Sequence, residues 1–171
     1  RKANMNDLDF LVQIDREDEG ITPTEEFQKS KENVEEHRQK ILKFLTDPDK
    51  GGFVYEDSKC HKQIGAIMYL VSNRDAVYPW KTVFQELDRD LFQDDGRFIE
   101  IFQLWIAPEY RRKGLGTKLK QRVEQVAREL KINLIYTHTE ETNEHVIEFN
   151  KNLGIGKSGA VQFGIILCVS V

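Results

Sequence analysis

Arg111, Arg112, Lys113, Gly114, Leu115, Gly116 and Thr117 stand in a row at the head of an amphipathic run that reaches Leu130. Three basic side chains and two glycines in front of a helix suit one kind of chemistry, the holding of an anion. Glycine has no Cβ, so the backbone can approach a ligand closely. The first N–H groups of a helix have no internal acceptor and lie at the positive end of its dipole. A phosphate or diphosphate fits such a place, with the basic side chains beside it. A plain strand-to-helix turn carrying a solvated basic cluster is the alternative, and the loop by itself does not separate the two. Glu100 is the second residue that could do chemistry. In RFIEIFQLWIAP, alternation places it on one strand face with Phe98, Phe102, Leu104 and Ile106. A carboxylate among apolar neighbours has a raised pKa, which suits a general base. An edge or ion-paired glutamate is the plainer role.

Other constellations lead less far. GIGKSG, Gly154 to Gly159, has the letters of a dinucleotide fingerprint, but a helical pattern precedes it and a strand follows, the reverse of what the fingerprint needs. A P-loop would need glycine where Lys151 stands. This cluster reads as a flexible lead-in to the last strand. His138, Glu140, Glu141, Glu144 and His145 match no ligand spacing and read as a polar strand-to-helix loop, so no metal is expected. Cys60 and His61 fall in a hairpin turn with no orienting partner for a thiol nucleophile. Tyr78 and Trp80 suit either a pocket wall or ordinary packing.

Positioning these residues requires a particular run of elements. After a short strand stub, Asn6 or Asp7 offers a helix cap before Leu8, Leu11 and Val12. A second helix is predicted from Thr24 to about Leu45, with Phe27, Val34, Ile41 and Leu45 on one stripe. A hairpin follows, with strands near Phe53–Glu56 and Gln63–Val71, then an insertion from Ser72 to Gly96 with a short helix after Pro79. RFIEIFQLWIAP is a strand, and Leu115, Leu119, Val123, Val126 and Leu130 give the next helix one apolar stripe. INLIYTHT, a helix from Asn143 to Leu153, and the tail strand AVQFGIILCVSV complete the order. The expectation is one α/β domain over residues 1–171, with a mixed, mostly antiparallel sheet flanked by helices.

The 171 residues suit one sizeable core, with 39% hydrophobic and 32% charged residues. A net charge of −4 argues against a nucleic-acid binder that relies on a broad basic surface. No apolar run reaches membrane-spanning length and no secretory leader is evident, so neither a membrane nor an export route is expected. Cys60 and Cys168 are too far apart in sequence to form a CxxC pair, and a cytoplasmic, reducing setting is the default.

LWIAPEYRRKGLGTKL resembles the acetyl-CoA-binding signature of the GCN5-related N-acetyltransferases (GNAT), Arg/Gln-x-x-Gly-x-Gly/Ala, filled here by Arg111, Gly114 and Gly116. NEHVIEFNKNLGI is similar to the family's later Asn…Tyr-x-x-x-Gly-Phe helix, and the element order agrees over nearly the whole chain. The resemblance implies an N-acetyltransferase that uses acetyl-CoA and acts on an amine; dimers are common in such families. It implies that backbone N–H groups from Arg111 to Thr117, among them those of Arg112, Lys113, Leu115 and Gly116, hold the diphosphate. Backbone atoms of Leu104, Trp105 and Ile106 would hold the pantetheine arm, like an added strand. Asn143 matches a position that touches the cofactor, with helix capping as its other role. The spacing of Glu100 before Arg111 matches the catalytic glutamate of the histone-acetylating branch. Asn150 stands where the family commonly has a tyrosine acid, and an amide supplies no proton at neutral pH. Asn150 is then a contact to the sulfur or to water, and Tyr136 and His145 are the neighbouring candidates for an acid, each with a structural role as the alternative. A non-catalytic acyl-CoA-binding sensor of the same fold is the competing function.

Overall fold

A computed structural model describes residues 1–18, 30–77, 88–138, 156–157 and 164–168. Among them are three helices, α1 (Leu8–Asp18), α2 (Ser30–Thr46) and α3 (Leu115–Glu129). Six strands, β1 (Lys50–Glu56), β2 (Gln63–Asn73), β3 (Arg97–Ile106), β4 (Leu134–His138), β5 (Gly156–Lys157) and β6 (Gly164–Cys168), follow the sheet order β1-β2-β3-β4-β6-β5. β3 and β4 are parallel, which a two-residue turn cannot achieve and the crossover through α3 can. β6 is antiparallel to both β4 and β5. This is the mixed, mostly antiparallel α/β sheet expected from the sequence. The chain divides into two compact units, Arg1–Tyr69 with Gln103–Lys120, and Leu70–Phe102 with Gln121–Val171.

In the first unit, α1 is entered through a 3-10 turn at Met5–Asp7, and the capping residue is Asn4 rather than Asn6 or Asp7. The Asn4 side chain accepts the Asn6 N–H, and the Asp7 carboxylate accepts the Asn4 N–H, closing a capping box. Asp7 is drawn inward because the Arg1 guanidinium and the Gln63 amide also donate to it, leaving it fully buried. Leu8, Leu11, Val12 and Ile14 of α1 and Ile41 and Phe44 of α2 are buried. Asp15 and His37 join these helices from buried positions, Oδ2 to Nδ1 at 2.5 Å, and Lys40 approaches the same carboxylate at 2.9 Å. The expected start of the second helix at Thr24, and Phe27 with it, lie outside the described residues. The β1–β2 hairpin has the expected turn, with β1 starting earlier, at Lys50, and β2 running on to Asn73.

In the second unit, Phe92, Phe98, Leu134 and Tyr136 form one buried cluster, with the Phe98 ring edge-on to both Phe92 and Tyr136. Of the predicted α3 stripe, Val123 is fully buried, but the next buried position is Ala127 and Leu130 is 41% exposed. The packed face runs Leu115, Leu119, Val123 and Ala127, so the predicted step of three to Val126 leaves it, and Val126 is half-buried. The helix also ends before Leu130: Lys131 turns left-handed at φ 55°, and the Ile132 N–H bonds back to the Ala127 carbonyl at 2.8 Å. Gly156 and Lys157, read as a flexible lead-in, are instead the strand β5, paired with Ile166 and Ile165. The rest of that glycine cluster, the Asn143–Leu153 helix, and Tyr78, Pro79 and Trp80 of the insertion lie outside the described residues.

Candidate active site

β3 carries Leu104, Trp105 and Ile106 at its C-terminal end. The chain then passes through a 3-10 turn at Pro108–Tyr110 and enters α3 at Leu115. Between them Arg112 and Gly114 both have left-handed dihedrals, φ 60° and 77°. Glycine takes that conformation freely, whereas a side chain there costs about 1–2 kcal/mol. A Cβ built on Gly114 would meet nothing within 4 Å. The glycine is thus demanded by its dihedral, and its backbone lies open to an approaching group. The first helical bond runs from the Lys118 N–H to the Gly114 carbonyl at 3.1 Å, so the N–H groups of Leu115, Gly116 and Thr117 precede the helical ladder. The side chains of Arg111, Arg112 and Lys113 are exposed around this turn. The turn therefore presents N–H groups ahead of the helical ladder beside basic side chains, the kind of groups that can hold an anion.

The side chains that shape the turn were less visible beforehand. Arg111 folds back so that Nε donates to the Ile106 carbonyl at 2.9 Å, which closes the exit from the strand. The Lys113 ammonium lies 5.0 Å from the centre of the Tyr110 ring. Leu115 packs with Ile64 and Ala107, and half-buried Tyr55, Trp105, Ile106 and Tyr110 border that cluster. Trp105 also meets the Phe10 ring edge-on, at 5.6 Å between centroids. On β2, a Cβ on Gly65 would come within 2.8 Å of Ile106 Cδ1 and 3.4 Å of the Trp105 carbonyl. A larger residue there would have to push the tip of Ile106 aside, a close approach the sequence pattern did not reveal. The face opposite Leu104 and Ile106 holds Gln103, whose buried amide donates to the Ile14 carbonyl of α1 at 3.0 Å.

Glu100 lies near the start of β3 and is half-buried. The Ser72 hydroxyl of β2, itself buried, donates to it across a long 3.4 Å. Tyr136 of β4 is its register partner. Tyr136 is buried, and its phenol is pushed up to about 12, first by burial and then by the Glu100 charge. A phenol so perturbed stays protonated at neutral pH and parts with its proton less readily than an ordinary tyrosine. Ser72 was missed in the sequence; its only mark is that it is polar directly after the apolar run that ends at Val71. Asn143, His145 and Asn150 lie outside the described residues. Cys60 is exposed, and the His61 ring bonds to Glu56 at 3.2 Å rather than to the thiol. Among the described residues, no group of three or more His, Cys, Asp or Glu is arranged to hold a metal, and no helix is long and apolar enough to cross a membrane.

The model of the acetyltransferase (GNAT) family matches residues 10–155. No curated protein matches the sequence. Among solved structures, the chain is similar to Arabidopsis thaliana NAA60 in complex with a bisubstrate analogue, at 14% identity and TM-score 0.69, covering 98% of this chain and 95% of that one. A predicted acetyltransferase of Clostridium acetobutylicum with acetyl-CoA matches at 20% identity and TM-score 0.65, over 94% and 90% of the two chains. The aminoglycoside antibiotic 6′-N-acetyltransferase of Acinetobacter baumannii matches at 16% identity and TM-score 0.66, over 94% and 92%. At such identities these three likenesses concern the fold.

Proposed function

Because the chain belongs to the acetyltransferase (GNAT) family, we propose that it is an acetyl-CoA-dependent N-acetyltransferase, one catalytic domain over residues 1–171, that transfers the acetyl group directly to an amine. The observation that carries this reading is the open, left-handed backbone at Gly114 before the unladdered N–H groups of Leu115, Gly116 and Thr117. In this reading those groups, with Arg112 and Lys113, take the diphosphate of the donor. Backbone atoms of Leu104, Trp105 and Ile106 take the pantetheine arm, Asn143 contacts the donor, and Asn150 contacts its sulfur or a water beside it. The neighbouring structures with acetyl-CoA and with a bisubstrate analogue support this class of donor, and the aminoglycoside enzyme supports an amine acceptor.

A primary amine has a pKa near 10.4, so most of it is protonated at neutral pH and cannot attack. Glu100 is proposed as the base that removes the proton, directly or through water, with Ser72 fixing the carboxylate. The neutral amine then attacks the thioester carbonyl, and the departing thiolate takes a proton. Tyr136 is the side-chain candidate to supply it and solvent is the rival; the raised pKa of this phenol favours solvent.

Titration calorimetry with acetyl-CoA and CoA, followed by measurement of CoA release with a panel of amines, tests the reading. Binding with turnover on at least one amine supports it. Binding with none would leave an acyl-CoA sensor, and absence of binding would remove the donor assignment.

A further inference from the structure

The turn between β1 and β2 reaches the proposed anion seat through its side chains. Asp57 and Lys62 close this turn, the Asp57 N–H donating to the Lys62 carbonyl at 2.9 Å. Their side chains extend to two consecutive residues before the seat. The Tyr110 hydroxyl donates to Asp57 Oδ2 at 2.9 Å, and Lys62 Nζ lies 3.0 Å from Glu109 Oε1. The Lys62–Glu109 pair is exposed on both sides, 61% and 54%, so it contributes little. Asp57 and Tyr110 are half-buried, and their bond is charge-assisted. Asp57 is itself held in place, since Oδ1 accepts the Lys59 N–H at 2.8 Å. Beyond Tyr110, its ring receives the Lys113 ammonium, and Lys113 is flanked by the left-handed Arg112 and Gly114. Residues 57, 110 and 113 thus form a chain of contacts from a hairpin turn to the strained loop.

We propose that Asp57 and Tyr110 are positioning residues for the diphosphate of the donor substrate, holding the Arg112–Gly114 loop in its binding geometry before ligand arrives. This rests on the reading of the loop as an acyl-CoA seat. A loop without that brace is ordered only when ligand binds, and the cost of ordering it appears as lost affinity. Neither residue touches the reacting atoms in this account.

The test is calorimetric titration of CoA into the full chain and into Tyr110→Phe, Asp57→Ala, Asp57→Asn and the Tyr110→Phe/Asp57→Ala double variant, with thermal melts of each without ligand. Losing this charged hydrogen bond should weaken CoA binding about fivefold in Tyr110→Phe and in Asp57→Ala. Asp57→Asn keeps one oxygen for the Lys59 N–H and can donate from its NH₂ to the Tyr110 phenol oxygen, so it should stay within about twofold of the unmodified chain. The double variant should bind no worse than the weaker single one, because both remove the same contact. A tie that is merely structural would lower the melting temperature and leave CoA affinity intact, and that result overturns the proposal, as do additive losses in the double variant. An unmodified chain that fails to bind CoA removes the functional reading and this inference together; unchanged affinity in Tyr110→Phe removes this inference alone.

Discussion

Glu100 and Tyr136 are register partners in the parallel pair of β3 and β4, so the carboxylate and the phenol rise from the same face of the sheet. The Ser72 hydroxyl approaches the same carboxylate from β2. The half-buried carboxylate thus has one hydroxyl donor at long range and a buried phenol on the neighbouring strand.

Glu100→Gln keeps the shape and removes the base. Turnover at neutral pH should fall by about 100-fold, with CoA affinity unchanged. The deficit should narrow as pH rises, because more of the amine is already neutral. A variant with an unchanged rate from about pH 6 to 9 would take Glu100 out of the mechanism.

Tyr136→Phe separates the two proton donors for the thiolate. With solvent as the donor, turnover should drop less than about tenfold, or about 1.4 kcal/mol, and Asn150→Ala should behave alike. A loss near 1,000-fold in Tyr136→Phe with acetyl-CoA still bound would make the phenol the acid.

Gly114→Val places a β-branched residue at φ 77°. The chain should still fold, because no atom stands where the new Cβ would go. Ligand at 100 times its dissociation constant stabilises a binding protein by about 2.7 kcal/mol, and most of that gain should vanish in the variant. A full ligand-induced rise in melting temperature would mean that the loop does not seat CoA.

Lys131 closes α3 with φ 55° at a position where glycine is at ease. Lys131→Gly should therefore stabilise the protein by about 1 kcal/mol. That is roughly 2–4 °C in melting temperature for a chain of this size. A lower melting temperature would show that lysine is retained there for a contact worth more than the strain.

Asp7 governs part of the acid response. Burial pushes its carboxyl up, but hydrogen bonds from Arg1, Asn4 and Gln63 outweigh this and hold it below the usual range. An unfolded aspartate has a pKa of about 3.9, so below that pH the unfolded chain takes up the proton first. The stability contributed by Asp7 is complete above that value and is lost as pH falls through the folded pKa. Asp7→Asn should lower the urea midpoint at pH 7 and flatten its decline in acid. An undiminished acid decline in the variant would assign the effect to other carboxylates.

What the sequence revealed followed from local rules. RFIEIFQLWI has the residue types of a strand, and Leu115, Leu119 and Val123 keep helical spacing, so β3 and most of α3 were legible, as was the loop between them. Side-chain partners distant in sequence were not. Ser72 meets Glu100 across 28 positions and Asp57 meets Tyr110 across 53, and no periodicity encodes such pairs. Asn4 was overlooked as the cap because its choice depends on Arg1 and Gln63 drawing Asp7 inward. β5 has only two residues, too few for alternation to register.

Hairpin turns at a surface ordinarily tolerate extra residues, since little depends on where their tips lie. The turn between Asp57 and Lys62 is different, because the side chains of its two closing residues are spoken for by Tyr110 and Glu109. One residue inserted there would leave β1 and β2 paired yet rotate Asp57 away from the phenol. If the loop seats the donor as proposed, an epitope tag or a shuffled segment spliced at this site would act as a remote lesion of donor binding in a chain that carries every residue of the loop.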